Sequence, residues 1–188
     1  MRGRLSSSEP RRYLIALGSN MRVPGIGDPR QVVMAALAAI AVEGIVLEAI
    51  SPLVSSRPIG PSRRRYANAA AAIGCDLAPT ELLDVFQRLE RAFGRRHRGR
   101  RWGARPLDLD IVLWNGGPWV SPDLTIPHAQ FRGRAFVLGP AAAIAGNWRD
   151  PLTGLTLRHL RARLTRPRPL RRAGHGRALS SVGRATDF

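Results

Sequence analysis

Arg101-Trp102-Gly103-Ala104-Arg105-Pro106-Leu107-Asp108-Leu109-Asp110-Ile111-Val112-Leu113 joins a basic, glycine-broken approach to an apolar run that carries two carboxylates. From Leu107 onward the alternation predicts a strand. A period of two puts Asp108 and Asp110 on one face and Leu107, Leu109 and Ile111 on the other. Such a strand packs on a core. Two acids on one strand face are costly unless a cation lies between them. A divalent metal is the natural partner, and the arginines beside it suggest that the metal carries phosphate.

Immediately upstream, Arg95, Arg96, Arg98, Arg100, Arg101 and Arg105 crowd one basic loop. They repel one another unless anions visit. Gly94, Gly99 and Gly103 punctuate the loop and let it close over a substrate. Before it, Pro79 suits a first helical position and Glu81 the first turn. Leu82, Phe86, Leu89 and Phe93 then form one helical stripe, which Gly94 stops. Further back, Ala67–Asp76 and Val46–Ser55 read as strands. A helix runs from Pro29 to about Val42 on Val33, Ala36, Leu37 and Ile40, and Tyr13–Leu17 is a strand ended by Gly18-Ser19-Asn20. The order β-α-β-β-α-β predicts an α+β, ferredoxin-like core: an antiparallel sheet with helices packed on one face.

The 188 residues favour one domain. Residues 1–11 are expected to be a loose leader, 12–165 the domain, and 166–188 a disordered basic tail without apolar periodicity. Ala178–Phe188 looks like the conceptual translation of a transfer-RNA gene. Between Trp114 and about Pro127 a loop is expected, then a short helical piece near Pro140–Ile144 and a closing helix over Leu155–Leu164. No apolar run is long enough to span a bilayer, and a cytoplasmic protein is expected. The single cysteine, Cys75, excludes a disulfide framework and reads as a small core residue. The formal charge of +17 rests on 30 basic residues, all arginine, in a chain rich in Ala, Gly and Pro. That pattern looks like GC-rich codon bias, so the placement of the arginines carries more than their number.

A phosphoryl-type transfer needs cations to neutralise phosphate oxygens and guanidiniums to follow charge to the leaving group. The arginine fork binds phosphate in a bidentate manner and stays charged. No P-loop pattern and no protein-kinase signature set is present. Ser56-Arg57-Pro58-Ile59-Gly60-Pro61 and Tyr66-Ala67-Asn68-Ala69 supply backbone amides, an aromatic face and an amide fork. Those suit a flat heterocycle, though a structural turn with a half-buried Asn accounts for them as well. Thr125-Ile126-Pro127-His128 and Arg134-Ala135-Phe136 are each weak alone.

Together these segments, over roughly residues 12–163, resemble the 6-hydroxymethyl-7,8-dihydropterin pyrophosphokinases of folate biosynthesis. The likeness rests on Leu17-Gly18-Ser19-Asn20, Pro58-Ile59-Gly60, Tyr66-Ala67-Asn68-Ala69, Arg101-Trp102-Gly103 through Arg105, Leu107-Asp108-Leu109-Asp110-Ile111, Ile126-Pro127-His128 and Arg134-Ala135-Phe136-Val137-Leu138. The resemblance implies transfer of pyrophosphate from ATP to the hydroxymethyl-dihydropterin, with AMP released. It implies two magnesium ions on Asp108 and Asp110, and catalytic-loop arginines at Arg95 and Arg105. ATP contacts fall at Glu90, Arg101, Trp102, Ile111, Thr125, His128 and Arg134, with Gln87 a further polar position. The pterin lies between Tyr66 and Phe136, with Asn68 on its ring edge and Ser56, Pro58 and Ile59 completing the slot. Ala104, Pro106, Ala129 and the basic Ser62–Arg65 stretch depart from the family pattern. A monomer with no nucleic-acid or membrane partner is expected.

Two rivals fit parts of the chain. An RNA-binding module suits the fold and charge, but it needs stacking aromatics on central strands, and the acid pair would repel a phosphate backbone. A nucleotidyltransferase could use the same acids on another acceptor.

Overall fold

The computed structural model describes residues 10–57, 64–95 and 105–167. Nearly all of the expected leader and tail, and the expected site residues Pro58, Ile59, Arg101 and Trp102, lie outside the described residues.

Strand β1 (Arg11–Ser19) begins one residue inside the expected leader. Helix α1 (Pro29–Val42) starts on a capping box. Asp28 Oδ1 accepts from the Arg30 and Gln31 amides at 2.8 and 3.0 Å, and Gln31 Oε1 accepts from the Asp28 amide at 2.9 Å. The single strand expected over 46–55 is two: β2 (Val46–Ile50) and β3 (Val54–Ser56). Pro52 cannot donate to a ladder. Ser51 bridges the break, its amide donating to the Ala70 carbonyl and its hydroxyl accepting from the Ala70 amide, both at 2.9 Å. Strand β4 (Tyr66–Cys75), helix α2 (Pro79–Ala92) and strand β5 (Asp108–Trp114) complete the βαββαβ unit.

The strands lie in the order β2-β4-β1-β5, with β3 also on β4, and every pairing is antiparallel. This is the expected ferredoxin-like sheet. The central strands β1 and β4 are buried along most of their length. Tyr13, Ile15 and Leu17 face α1 and α2 together with Ala69, Ala71, Leu109 and Ile111. Cys75 packs half-buried against the same core.

The opposite face is covered too, which the sequence pattern did not predict. A short hairpin, β6 (Trp119–Val120) and β7 (Thr125–Ile126), leads to a 3₁₀ turn at Phe131–Gly133, helix α3 (Ala135–Ala145) and helix α4 (Leu157–Thr165). Phe131, Val137, Leu138, Leu157 and Leu160 bury Leu14, Ala70 and Leu113 on that face. Burial of each large apolar side chain contributes about 1.5–3 kcal/mol. Between Leu14 and Ile15 the β1–β5 register shifts, leaving Val112 as an extra residue. That bulge turns Leu113 to the second face. The His128 amide then donates to the Val112 carbonyl at 3.1 Å, tying the returning chain to the bulged edge.

Asp150 is fully buried and takes Arg132 in two bonds, 2.8 and 2.6 Å, with the Thr153 hydroxyl at 2.6 Å. It thereby locks the loop between α3 and α4 to the 3₁₀ turn. Among the described residues no helix is long and apolar enough to cross a membrane.

Candidate active site

The second sheet face changes character along its length. Near Leu14 it is covered by α3 and α4; beyond, it opens into a cavity of about 380 Å³. The floor is made of small residues. Asp110 pairs with Ala16, and Ala16 with Ala70; Asp108 pairs with Gly18, and Gly18 with Asn68. A Cβ built on Gly18 would stand 3.4 Å from Asn68 Oδ1. One wall is therefore the acid pair and the other is Asn68, Tyr66 and Ser56, with little between them.

Asp108 and Asp110 both face the cavity. Asp108 Oδ1 accepts from Arg105 Nη1 at 2.6 Å and from Arg95 Nη1 at 3.0 Å. Arg95 also pairs with Glu90. Asp110 Oδ2 has looser company, His128 Nε2 and Arg134 Nη1, each at 3.9 Å. Burial pushes the Asp110 carboxyl above its ordinary range and the Asp108 charge adds to this, against His128, Arg134 and Arg105. For Arg105, burial opposes the charged form, but the charge and hydrogen bond of Asp108 outweigh it, so the guanidinium is held charged more firmly than usual.

His128 Nδ1 accepts from the Gln130 amide at 3.2 Å, which turns Nε2 toward Asp110. Arg134 is fixed by Gln130 Oε1 and lies 5.9 Å from the Phe136 ring. Across the cavity, Asn68 is buried and donates from Nδ2 to Ser56 Oγ at 2.9 Å. Burial raises the Tyr66 pKa, with Arg105 opposing and Asp108 adding, so the phenol stays neutral at neutral pH.

Most of the described residues expected at the site meet here: Ser56, Tyr66 and Asn68 on one side, Arg105, Asp108 and Asp110 on the other, His128, Arg134 and Phe136 across the mouth. Arg95 joins them through Asp108. Three expected nucleotide contacts stand elsewhere. Ile111 is buried on the α1–α2 face, because odd positions of β5 before the bulge point to that core. Thr125 is exposed on the hairpin opposite Val120. Glu90 is 6% exposed, accepts the Leu109 amide at 2.8 Å and holds Arg95. It stands behind the acids rather than in the cavity. Burial raises its pKa, while the Leu109 amide and Arg95 work against the rise.

Gln130 lines the cavity without having been singled out, and Arg57 lies within the Ser56–Ile59 backbone expected to complete the slot. Nothing in the spacing marks Gln130. The floor at Ala16 and Gly18 was legible in principle: even positions of β1 shrink from Leu14 to Gly18 while odd ones stay large.

A family profile described as 7,8-dihydro-6-hydroxymethylpterin-pyrophosphokinase (HPPK) matches residues 14–146. The chain belongs to this family. It is 42% identical over 142 residues to a 2-amino-4-hydroxy-6-hydroxymethyldihydropteridine pyrophosphokinase of Pseudomonas aeruginosa, covering 74% of this chain and 84% of that one. With the enzyme of the same name from Synechocystis sp. it shares 38% over 144 residues, covering 77% and 71%. In shape it is similar to the crystal structure of Plasmodium falciparum HPPK-DHPS wild type with pteroate. The TM-score is 0.63 at 11% identity, over 84% of this chain and 43% of that chain. That likeness concerns the fold alone. The family match places every described wall of the cavity, from Ala16 to Val137, inside the pyrophosphokinase region.

Proposed function

We propose that this chain transfers the pyrophosphoryl group of ATP to 6-hydroxymethyl-7,8-dihydropterin, giving AMP and the pterin diphosphate for folate synthesis. The observation that carries the reading is the facing of two unlike walls across one floor of small residues. The acid pair with Arg105, His128 and Arg134 suits a polyphosphate, and Tyr66, Asn68 and Phe136 suit a flat ring with hydrogen-bonding edges.

In this reading the pterin hydroxyl oxygen attacks the β-phosphorus of ATP. The new bond is O–Pβ; the bond from Pβ to the bridging oxygen of the α-phosphate breaks. That oxygen leaves with AMP, and the hydroxyl proton is released. Catalysis is mainly positioning and electrostatics. Arg95 and Arg105 follow the charge of the transferred group. Arg134 and His128 hold the nucleotide phosphates, and Asn68 and Tyr66 orient the ring.

Two magnesium ions fit the acids. Among the described residues no third Asp, Glu, His or Cys joins Asp108 and Asp110 in a ligand cluster. Hard carboxylate oxygens that leave most coordination positions free suit magnesium with phosphates and water rather than a closed structural metal. The raised pKa of Asp110 reflects its burial first and the like charge of Asp108 second, and a cation would relieve both. When bound, such ions neutralise phosphate oxygens and polarise the β-phosphorus. The protein in this reading is a cytoplasmic monomer. Purified protein given ATP, magnesium and the reduced pterin is expected to release AMP; ADP release, or no turnover by a folded sample, overturns the reading.

A further inference from the structure

Gly18-Ser19-Asn20 ends β1, and Asn20 takes no part in the chemistry above. Asn20 is 2% exposed, 85 residues from Arg105 in sequence. Strands β1 and β5 pair as far as Gly18 opposite Asp108. Continued in register, the antiparallel ladder would reach Pro106, which has no N–H to give. Asn20 spans that gap. Its backbone N–H donates to the Arg105 carbonyl at 3.1 Å, and its Oδ1 accepts from the Arg105 N–H at 2.7 Å. Both main-chain polar groups of Arg105 are thus held by one buried residue.

Two further observations give this hold a purpose. Pro106 restricts the backbone of the residue before it to extended conformations, so Arg105 is confined from the following residue as well as from Asn20. And Asn20 Nδ2 is buried with no partner among the described residues. A side chain present only for packing would not bring a polar amide into a buried position.

We infer that Asn20 is a positioning residue. It fixes the main chain of Arg105 so that the guanidinium stays on the Asp108 side of the cavity, where the transferred phosphates are taken to lie. The inference rests on Arg105 acting in the proposed transfer. A misplacement of about 1 Å in such a group costs on the order of 100-fold in rate.

The test is a double-mutant cycle on the single-turnover rate of AMP formation from ATP and the reduced pterin with magnesium. Asn20→Ala is expected to slow the wild-type background by about 10- to 100-fold, with KM for both substrates changed less than the rate. In the Arg105→Ala background the same substitution is expected to cost little further, because the group it positions is gone. If Arg105→Ala falls below detection at ordinary enzyme levels, enzyme in excess over both substrates and hour-long incubation bring its rate into range. If Asn20→Ala does not fold by circular dichroism, Asn20→Ser runs the same cycle, its hydroxyl being too short to hold the Arg105 amide. Equal losses in both backgrounds, or an unchanged rate in the wild-type background, overturn the inference alone. A folded wild type that forms no AMP overturns the proposed function and this inference with it.

Discussion

Arg105 Nη1 lies 2.6 Å from Asp108 Oδ1, three residues along the chain. The carboxylate assigned to a divalent cation is therefore engaged by a guanidinium assigned to phosphate. In the proposed reading, cation and phosphate arriving together would let Asp108 and Arg105 each exchange the present partner for the proposed one. Arg105→Ala is expected to lower the rate by about 10³-fold, in the range of an arginine that stabilises phosphoryl charge. The same variant leaves Asp108 with Arg95 as its remaining partner, so magnesium alone should raise its Tm more than it raises that of the wild type. Scanning calorimetry with and without magnesium checks this; a smaller response in the variant would refute the exchange.

Asp110→Asn removes one of two like charges from a partly buried site. The raised pKa means that the ionised form weakens the fold as pH rises above the ordinary aspartate value of 3.8. The amide is expected to keep or raise Tm at pH 8 while turnover falls by about 10³-fold or more, since cation polarisation is worth several kcal/mol. Full activity in the variant would remove the metal assignment.

Gly18→Val puts branched carbon between the two walls, where even a Cβ meets Asn68 Oδ1 at 3.4 Å. KM for the pterin is expected to rise by about tenfold or more, and KM for ATP much less, the size of effect that about 1.4 kcal/mol of lost fit produces. Steady-state kinetics varying each substrate in turn distinguishes the two.

Asp150 supplies the pH prediction. Burial favours its neutral form, but Arg132, the Thr153 hydroxyl and the Leu152 amide outweigh burial and hold its pKa below the ordinary 3.8. A depressed folded pKa adds stability above the unfolded value, lost as pH falls through the folded one. Urea midpoints should therefore decline below about pH 4 in part through this group, and Asp150→Asn should show less of that decline. At pH 7 the variant is expected to lose about 3 kcal/mol, the lower end for a broken buried pair, because Arg132 keeps access to water.

Much of this architecture is legible in the sequence because its signals are local. The stripe Leu82, Phe86, Leu89, Phe93 and the alternation around Asp108 give α2 and β5 directly. The break at Ser51–Leu53 had a signal in Pro52 that was passed over, whereas the part of Ser51 was not legible, since a serine that stands in for a ladder partner looks like any strand serine. Helix α3 was underestimated: Ala135–Ala145 is apolar on every side and carries Pro140, so it shows no amphipathic period. At the site, charged and aromatic residues announced themselves. Glu90 was placed near the nucleotide or its arginines through the family resemblance, and it holds Arg95 from behind the cavity. Asn20 was seen as part of a turn, because a contact with Arg105 across 85 residues leaves no local trace.

Strand β1 divides its labour by parity. Its odd positions Tyr13, Ile15 and Leu17 support the helical core, and its even positions Ala16 and Gly18 form the ground under the two walls. Mutational tolerance should divide the same way. Substitutions at 16 and 18 should reshape what the cavity accepts with little effect on folding, and substitutions at 13 and 15 should do the reverse. One nine-residue segment thus offers two independent handles, one for altering ligand choice and one for altering robustness.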